Sequence, residues 1–254
     1  MMSYTDWMHW RNESEKPFIW VTGSPRSGTT WLCSLLNYVE TFGCLDEGLN
    51  QPFFGNYDRG MESVNWKSFL DATRDEIRIQ DMSKRGESID YVMIKQPYPV
   101  HDSFIKSFMT SDNCKIIVIH RHPLDVLLSM HHRSEIRDPS WPSLFRDDYI
   151  KVRNYLETFS FFWNFRINKC MYVKYEELIL NQKVIFDRIC QFICGDEQVP
   201  KMLSLPKPSS RYVDLRMGSV NHLNRRQYPH KVEEYNKLIS AFLSEPMIYY
   251  GYSL

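Results

Sequence analysis

The sequence lacks an excess of charge of either sign. Its 31 lysine and arginine residues balance 31 aspartate and glutamate residues, so the formal net charge at pH 7 is zero. A protein that binds nucleic acid or an anionic membrane through a broad basic surface carries more basic than acidic residues. We therefore expect neither nucleic acid nor a membrane as partner, and any bound anion must be held by a local cluster.

The chain also lacks long apolar runs and a recognisable metal-binding motif. Residues 1–16 contain no apolar core of the kind found in signal peptides, and no run reaches membrane-spanning length. Six cysteines are scattered through apolar stretches, with no histidine near them at ligand spacing, which favours buried, reduced thiols. We therefore expect a cytoplasmic protein without a bound metal.

Short apolar runs alternate with helical patterns along the chain. Four runs are typical of buried parallel strands and a fifth is weaker; they are Phe18 to Thr22, Tyr91 to Lys95, Ile116 to His120, Met171 to Lys174, and the weaker Phe42 to Leu45. Helices are expected at Thr29 to Val39, from Pro123, and at Trp66 to Arg85, Asp148 to Asn164, Leu178 to Ile193 and Val232 to Leu243. This alternation predicts one α/β domain over residues 1–254, a three-layer sandwich around a central, mainly parallel sheet. Its ligand crevice should lie beyond the carboxyl ends of the strands.

A P-loop-type phosphate loop follows the first strand. The sequence runs Gly23-Ser24-Pro25-Arg26-Ser27-Gly28-Thr29-Thr30 and ends at the start of a helix. Its backbone N–H groups and the helix N-terminus can bind a phosphate, with hydroxyl and guanidinium groups beside them. The usual P-loop lysine after the second glycine is replaced by Thr29, and neither central strand ends in the aspartate that would hold Mg²⁺. The loop therefore predicts a metal-independent site for a 5′-phosphate or phosphosulfate.

With Trp31 included, this loop resembles the 5′-phosphosulfate-binding loop of sulfotransferases that use 3′-phosphoadenosine 5′-phosphosulfate (PAPS). The resemblance implies that the loop binds PAPS through Arg26, Ser27, Gly28, Thr29 and Thr30. It also implies that Trp31 stacks on the adenine, although the alternative of a core tryptophan on an apolar helix face stays open.

A second motif, Arg121-His122-Pro123 to Ser129, follows the strand that ends at His120. It resembles the 3′-phosphate site of the same family, in which an arginine and a serine eight residues later converge on one anion. The alternative is an arginine at the sheet edge and a helix serine bonded to its own backbone.

Two further segments resemble the family more weakly. Tyr175 follows the strand Met171 to Lys174 and corresponds to a tyrosine that contacts the adenine. Arg216 and Gly218 match a loop that closes over the 3′-phosphate, with Met217 in place of its lysine. We expect residues 200–230 to form this cofactor-closing loop.

Sulfuryl transfer needs a cation beside the leaving oxygen and a base for the acceptor proton. The resemblance assigns the cation to Lys95, with Arg26 as the second candidate. The histidine of many cytosolic members is replaced by Pro97, which has no basic group. Other branches of the family use a glutamate just after the phosphate-loop helix, so the resemblance favours Glu47 as the base, followed by Asp46 and then His101. The alternative of an ordinary solvated loop carboxylate at Glu47 stays open.

The predicted function is transfer of a sulfuryl group from PAPS to a hydroxyl or amine of a small acceptor, which releases 3′,5′-bisphosphorylated adenosine (PAP). The protein is expected to be a monomer or homodimer. Two alternatives stay open: a metal-dependent kinase or nucleotidase with a degenerate P-loop, and a non-catalytic PAPS-binding or scaffold protein.

Overall fold

The computed structural model of the chain describes residues 17–39, 41–46, 91–97, 114–136, 143–163, 169–195 and 225–252. Within these residues the core is a five-stranded sheet, and every pair of neighbouring strands runs parallel. The strands are β1 (Phe18–Thr22), β2 (Phe42–Asp46), β3 (Tyr91–Lys95), β4 (Cys114–His120) and β5 (Cys170–Lys174). The predicted α/β fold is confirmed, including the weaker fifth strand.

Helices follow the strands as expected for βαβ units. They are α1 (Thr29–Leu36), α2 (Pro123–Glu135), α3 (Asp148–Trp163), α4 (Tyr175–Leu180), α5 (Gln182–Cys194), α6 (Pro229–Phe242) and α7 (Ser244–Tyr249), with a short 3-10 helix at Ser143–Arg146. Within the described ranges, every helix is too short or too polar to cross a bilayer.

The order of the strands in the sheet is β2-β3-β1-β4-β5. Strand β1 is therefore central, with β3 on one side and β4 on the other, and the chain changes sides of β1 between β3 and β4. In open α/β sheets the crevice beyond the carboxyl ends of the strands at such a change binds the ligand. The loop after β1 lies at this point.

Alternate side chains of β1 point to opposite faces of the sheet, and a layer of helices covers each face. Ile19 and Val21 pack in a core cluster that also contains buried residues of α1, α4 and α5. Trp20 points to the opposite face, where its ring lies 5.7 Å from that of Phe162 on α3. A second cluster joins α2, α3, α6 and α7. These two helical layers and the sheet make the predicted three-layer sandwich.

Several boundaries differ from the prediction. The segment Leu178 to Ile193 was expected to form one helix, but the backbone of Asn181 (φ −125°, ψ 42°) ends α4 and begins α5 there. β4 and β5 each begin earlier than predicted, at Cys114 and Cys170. The predicted helix Trp66 to Arg85 lies outside the described residues, as does most of the expected loop at 200–230.

Candidate active site

The loop after β1 has a backbone that only certain residues can adopt. Gly23 has φ +151°, and a Cβ there would lie 2.2 Å from the backbone oxygen of Ile119. Arg26 has φ +71°, a left-handed conformation that is uncommon for a residue with a side chain. The Ser27 amide donates to the Ser24 carbonyl oxygen at 3.1 Å, which closes the turn. Successive backbone N–H groups in a tight turn that contains a left-handed residue can form a concave nest that binds anions.

Three buried polar atoms lie at the carboxyl ends of the central strands. Oγ of Ser27, Oγ1 of Thr22 and Oε1 of Gln96 are buried and make no hydrogen bond among the described residues. Buried polar atoms without a partner are rare in folded proteins, and a bound water, ion or ligand is one way to satisfy them. Ser27 belongs to the phosphate loop, and the other two residues follow or end the two strands beside it, so these atoms fit a polar ligand at this edge.

The two predicted anion-binding motifs meet through one side chain. Nε of Arg26, in the loop, donates to Oγ of Ser129 on α2 at 3.1 Å. A terminal nitrogen of Arg121 lies 3.4 Å from the backbone oxygen of Arg26. Arg121 and Ser129 are both buried, so this contact is shielded from water. The structure thus brings together the loop arginine and the predicted 3′-phosphate pair.

Arg26 lies in a field of positive charge. Burial, followed by the charges of Arg133 and Arg121, lowers the pKa of Arg26 to about 10, and Tyr175 acts in the opposite direction. The guanidinium is still charged at neutral pH. Mutually repelling cations in a shielded site are stabilised when an anion binds among them, so this cluster is suited to a phosphate.

Arg133 is the residue of this cluster that the sequence analysis missed. It lies four residues after Ser129 on α2, so the two side chains leave the same face of the helix on successive turns. The spacing Ser129 to Arg133, added to the Arg121 motif, is the signal that would have identified it.

Tyr175 fills the space between the two motifs. A Cβ on Gly28 would lie 2.5 Å from the Tyr175 ring, and the Arg121 guanidinium lies over that ring at 4.6 Å. The Trp31 ring meets the Tyr175 ring edge-on with centroids 5.6 Å apart, and Trp31 is partly buried against the first core cluster. Tyr175 is only 2% exposed, so in this structure it supports the loop and Arg121. Thr29 is buried in the first turn of α1, and Thr30 beside it is exposed.

The backbone that carries Arg121 is fixed on both sides. Oη of Tyr155 donates to the Arg121 carbonyl oxygen at 2.8 Å, and the His122 amide donates to Oε1 of Glu176 at 2.9 Å. Oη of Tyr252 donates to the other carboxylate oxygen of Glu176 at 2.9 Å. The position of the arginine therefore depends on α3, α4 and the C-terminal segment together.

Lys95, the predicted catalytic lysine, lies on the other side of β1 from Arg121. Lys95 ends β3, is 1% exposed, and its Cα is in register with Val21 of β1 and Asp46 of β2. The next residue after Asp46 is Glu47, which lies outside the described residues, as do His101, Arg216 and Gly218. Among the described residues, no three His, Cys, Asp or Glu side chains are grouped to hold a metal ion.

A family model and several solved structures are similar to this chain. A family model described as "Sulfotransferase domain" matches residues 16–234. Sulfotransferase STF9 from Mycobacterium avium is similar in fold, with 13% identity, a TM-score of 0.53, and coverage of 95% of this chain and 78% of that chain. The sulfotransferase domain of the curacin biosynthetic pathway has 16% identity and a TM-score of 0.47, with coverage of 77% and 79%. Mouse sulfotransferase SULT7A1 complexed with PAP has 16% identity and a TM-score of 0.45, with coverage of 88% and 69%.

No curated protein matches the chain at a significant level. The family match nevertheless spans most of the sequence, including both anion-binding motifs, β3 with Lys95, and α2. This chain belongs to the sulfotransferase domain family.

Proposed function

We propose that this sulfotransferase takes its sulfuryl group from PAPS and transfers it to a hydroxyl or amine of a small acceptor, releasing PAP, without a metal ion. The observation that carries the proposal is the hydrogen bond between Arg26 and Ser129. It joins the phosphate loop to a second cluster of basic groups, and a nucleotide with phosphates at both its 3′ and 5′ positions offers one anion to each.

The 5′ end of PAPS would bind in the nest of the loop. The loop amides, the N-terminus of α1 and the hydroxyls of Ser27, Thr29 and Thr30 are donors of the kind that hold a phosphate without a lysine. The buried Ser27 hydroxyl, which has no partner among the described residues, would gain one there.

The 3′-phosphate would bind among Arg121, Ser129 and Arg26. Burial lowers the pKa of Arg26 most, and an anion there would offset the repulsion from Arg133 and Arg121 that lowers it further. The adenine would lie against Trp31, at the edge of the Tyr175 ring. We propose that Arg216 and Gly218 close over the nucleotide.

In the transfer step, a bond forms between the acceptor oxygen or nitrogen and sulfur, while the bond between sulfur and the bridging phosphate oxygen breaks. The electron pair of that bond stays on the 5′-phosphate. Lys95, at the end of β3, would stabilise this growing negative charge. Glu47 would accept the acceptor's proton. The register of Asp46 with Lys95 supports this assignment, because it puts the end of β2 beside the end of β3.

Isothermal titration calorimetry with PAP and AMP tests the proposal. The two nucleotides differ by the 3′-phosphate, and one charge-assisted hydrogen bond contributes about 1.5–3 kcal/mol. PAP should therefore bind at least about tenfold more tightly than AMP. Equal affinities would contradict the second anion site, and tight binding without turnover on a panel of acceptors would favour a non-catalytic PAPS-binding protein.

The second arm of the experiment is turnover of PAPS in an excess of chelator. Activity should persist, because the strands on either side of β1 end in Lys95 and His120 and not in the aspartate that holds Mg²⁺ in P-loop enzymes. An absolute requirement for Mg²⁺ would support the kinase or nucleotidase alternative.

A further inference from the structure

A buried carboxylate lies on the helix that carries Ser129. Asp125 is 1% exposed in the first turn of α2. Nε of Arg225 donates to its Oδ1 at 3.0 Å, and a terminal nitrogen of Arg225 donates to its Oδ2 at 3.2 Å. This is the two-point contact by which a guanidinium best matches a carboxylate. The Arg225 side chain is 37% exposed, so the pair is buried from the Asp125 side only.

Asp125 is close to the proposed 3′-phosphate site. It precedes Ser129 by one helical turn, so both residues lie on the same face of α2. Burial raises the pKa of Tyr175, and the negative charges of Glu176 and then Asp125 add to this effect. The Arg121 guanidinium lies over the ring of this tyrosine. A carboxylate in this position repels a phosphate that binds to Arg121 and Ser129 unless its charge is balanced.

Capping of α2 does not account for the Asp125 carboxylate. The Leu124 amide, in the first turn, donates to Nδ1 of His122 at 3.2 Å, so the histidine ring is the side chain that caps this helix. Both carboxylate oxygens of Asp125 instead accept from Arg225. The pair also ties α2 to Arg225, which comes shortly after Arg216 and Gly218 in the sequence.

We propose that Arg225 is a specificity-determining residue that neutralises Asp125, so that a nucleotide carrying a 3′-phosphate can bind between Arg121 and Ser129. The inference rests on the proposed function, since it assigns Arg225 a role in the selection of PAPS and PAP over nucleotides that lack the 3′-phosphate. Arg225 acts through Asp125 and is not placed in contact with the nucleotide.

The test compares the affinities for PAP and AMP in variants of the full chain. Arg225→Gln leaves the Asp125 charge unbalanced and should lower the ratio of PAP to AMP affinity about tenfold or more. Asp125→Asn removes the negative charge while Arg225 stays positive, so the ratio should be unchanged or higher. The double variant Asp125→Asn with Arg225→Gln should restore the ratio to within about threefold of the wild type. Arg153→Gln, which breaks an exposed ion pair with Glu157, is the control.

The opposite effects of the two single substitutions separate this role from a structural one. If both Arg225→Gln and Asp125→Asn lower the ratio, or if Arg225→Gln lowers only the melting temperature, the pair is structural and the inference is wrong. If the double variant keeps the low ratio of Arg225→Gln, Arg225 acts on the nucleotide directly, which also overturns it. Should Arg225→Gln fail to fold, Asp125→Asn and the double variant still give the predicted ratios or contradict them. A wild-type protein without preference for PAP would instead contradict the proposed function itself.

Discussion

Arg26 and Ser129 are 103 residues apart in the sequence, and their side chains form a hydrogen bond of 3.1 Å. Arg26 has a left-handed backbone, with φ +71°, and its side chain reaches from the loop to α2. Uncommon backbone conformations of this kind cluster at active sites and ligand-binding loops. The loop arginine is therefore part of both proposed anion sites.

The first prediction tests the contribution of the Arg26 guanidinium to binding, apart from that of its backbone conformation. Arg26→Asn keeps a residue that tolerates the left-handed region and removes the charge. Affinity for PAP should fall by about tenfold to a hundredfold, because one or two charge-assisted contacts of about 1.5–3 kcal/mol are lost. Ser129→Ala removes a neutral partner and should cost less. Calorimetry measures both, and a larger loss from Ser129→Ala would show that Arg26 is not the main contact.

The second prediction compares two glycines with positive φ. Gly28 has φ +106° and faces the Tyr175 ring, whereas Gly195 has φ +66°, and a Cβ added to it would meet no atom of the described residues within 4 Å. Both alanine substitutions strain the backbone by about 1–2 kcal/mol, but only Gly28→Ala also displaces Tyr175 or the loop. Urea unfolding should show a larger loss for Gly28→Ala, and PAP affinity should fall in that variant alone. Equal losses of stability with unchanged PAP affinity would mean that the close contact is relieved at little cost.

The sequence was sufficient for the strands and for the two motifs that follow β1 and β4. Buried parallel strands are continuous apolar runs, so β1 and β3 were predicted at their observed bounds. The break at Asn181 was missed because the apolar spacing continues through it from α4 into α5, and a single backbone conformation ends the first helix. Apolar periodicity shows which face of a helix is buried, but it does not show where one helix ends and the next begins.

Contacts between distant segments could not be predicted from the sequence. Arg26 was assigned to the 5′ end of the nucleotide or the leaving group, and nothing in its neighbours indicated that it reaches Ser129. The pair of Asp125 and Arg225 spans 100 residues and depends on how the segment before α6 returns to α2. Such pairs are set by tertiary packing, which the order of residues alone does not show.

The third prediction concerns acid stability. Burial, followed by the nearby charge of Lys174, lowers the pKa of His120 to about 3. Its ring stacks on that of Tyr250 with centroids 3.8 Å apart, and its Nδ1 lies 3.3 Å from Oη of Tyr252. Below pH 6.5 the unfolded chain binds a proton at this histidine and the folded chain does not. The stabilisation is therefore complete above pH 6.5 and is lost as the pH falls towards 3, by up to about 1.4 kcal/mol per pH unit.

The variant that checks it is His120→Gln, which is neutral at every pH and keeps a polar group near Tyr252. Between pH 6.5 and 4 its free energy of unfolding should change less steeply with pH than that of the wild type. Other acid-sensitive groups, such as Asp148, are present in both proteins and cancel in the comparison. Parallel curves would mean that His120 is protonated in the folded protein.

The last prediction is that Glu47 is the general base. Pro97 stands where the resemblance to many cytosolic members places a histidine. Asp46, whose Cα is in register with that of Lys95, directly precedes Glu47 in the sequence.

Removal of a general base lowers the rate by a factor of about 10²–10⁴. Glu47→Gln should lower kcat by this factor and leave PAP affinity nearly unchanged, because the carboxylate would face the acceptor. Lys95→Ala should also slow turnover, but through the leaving group. More acidic acceptors, which lose their proton readily, should therefore rescue Glu47→Gln and not Lys95→Ala. Asp46→Asn and His101→Ala test the two alternative bases. If Glu47→Gln turns over normally while one of these two variants is inactive, the residue replaced in the inactive variant is the base.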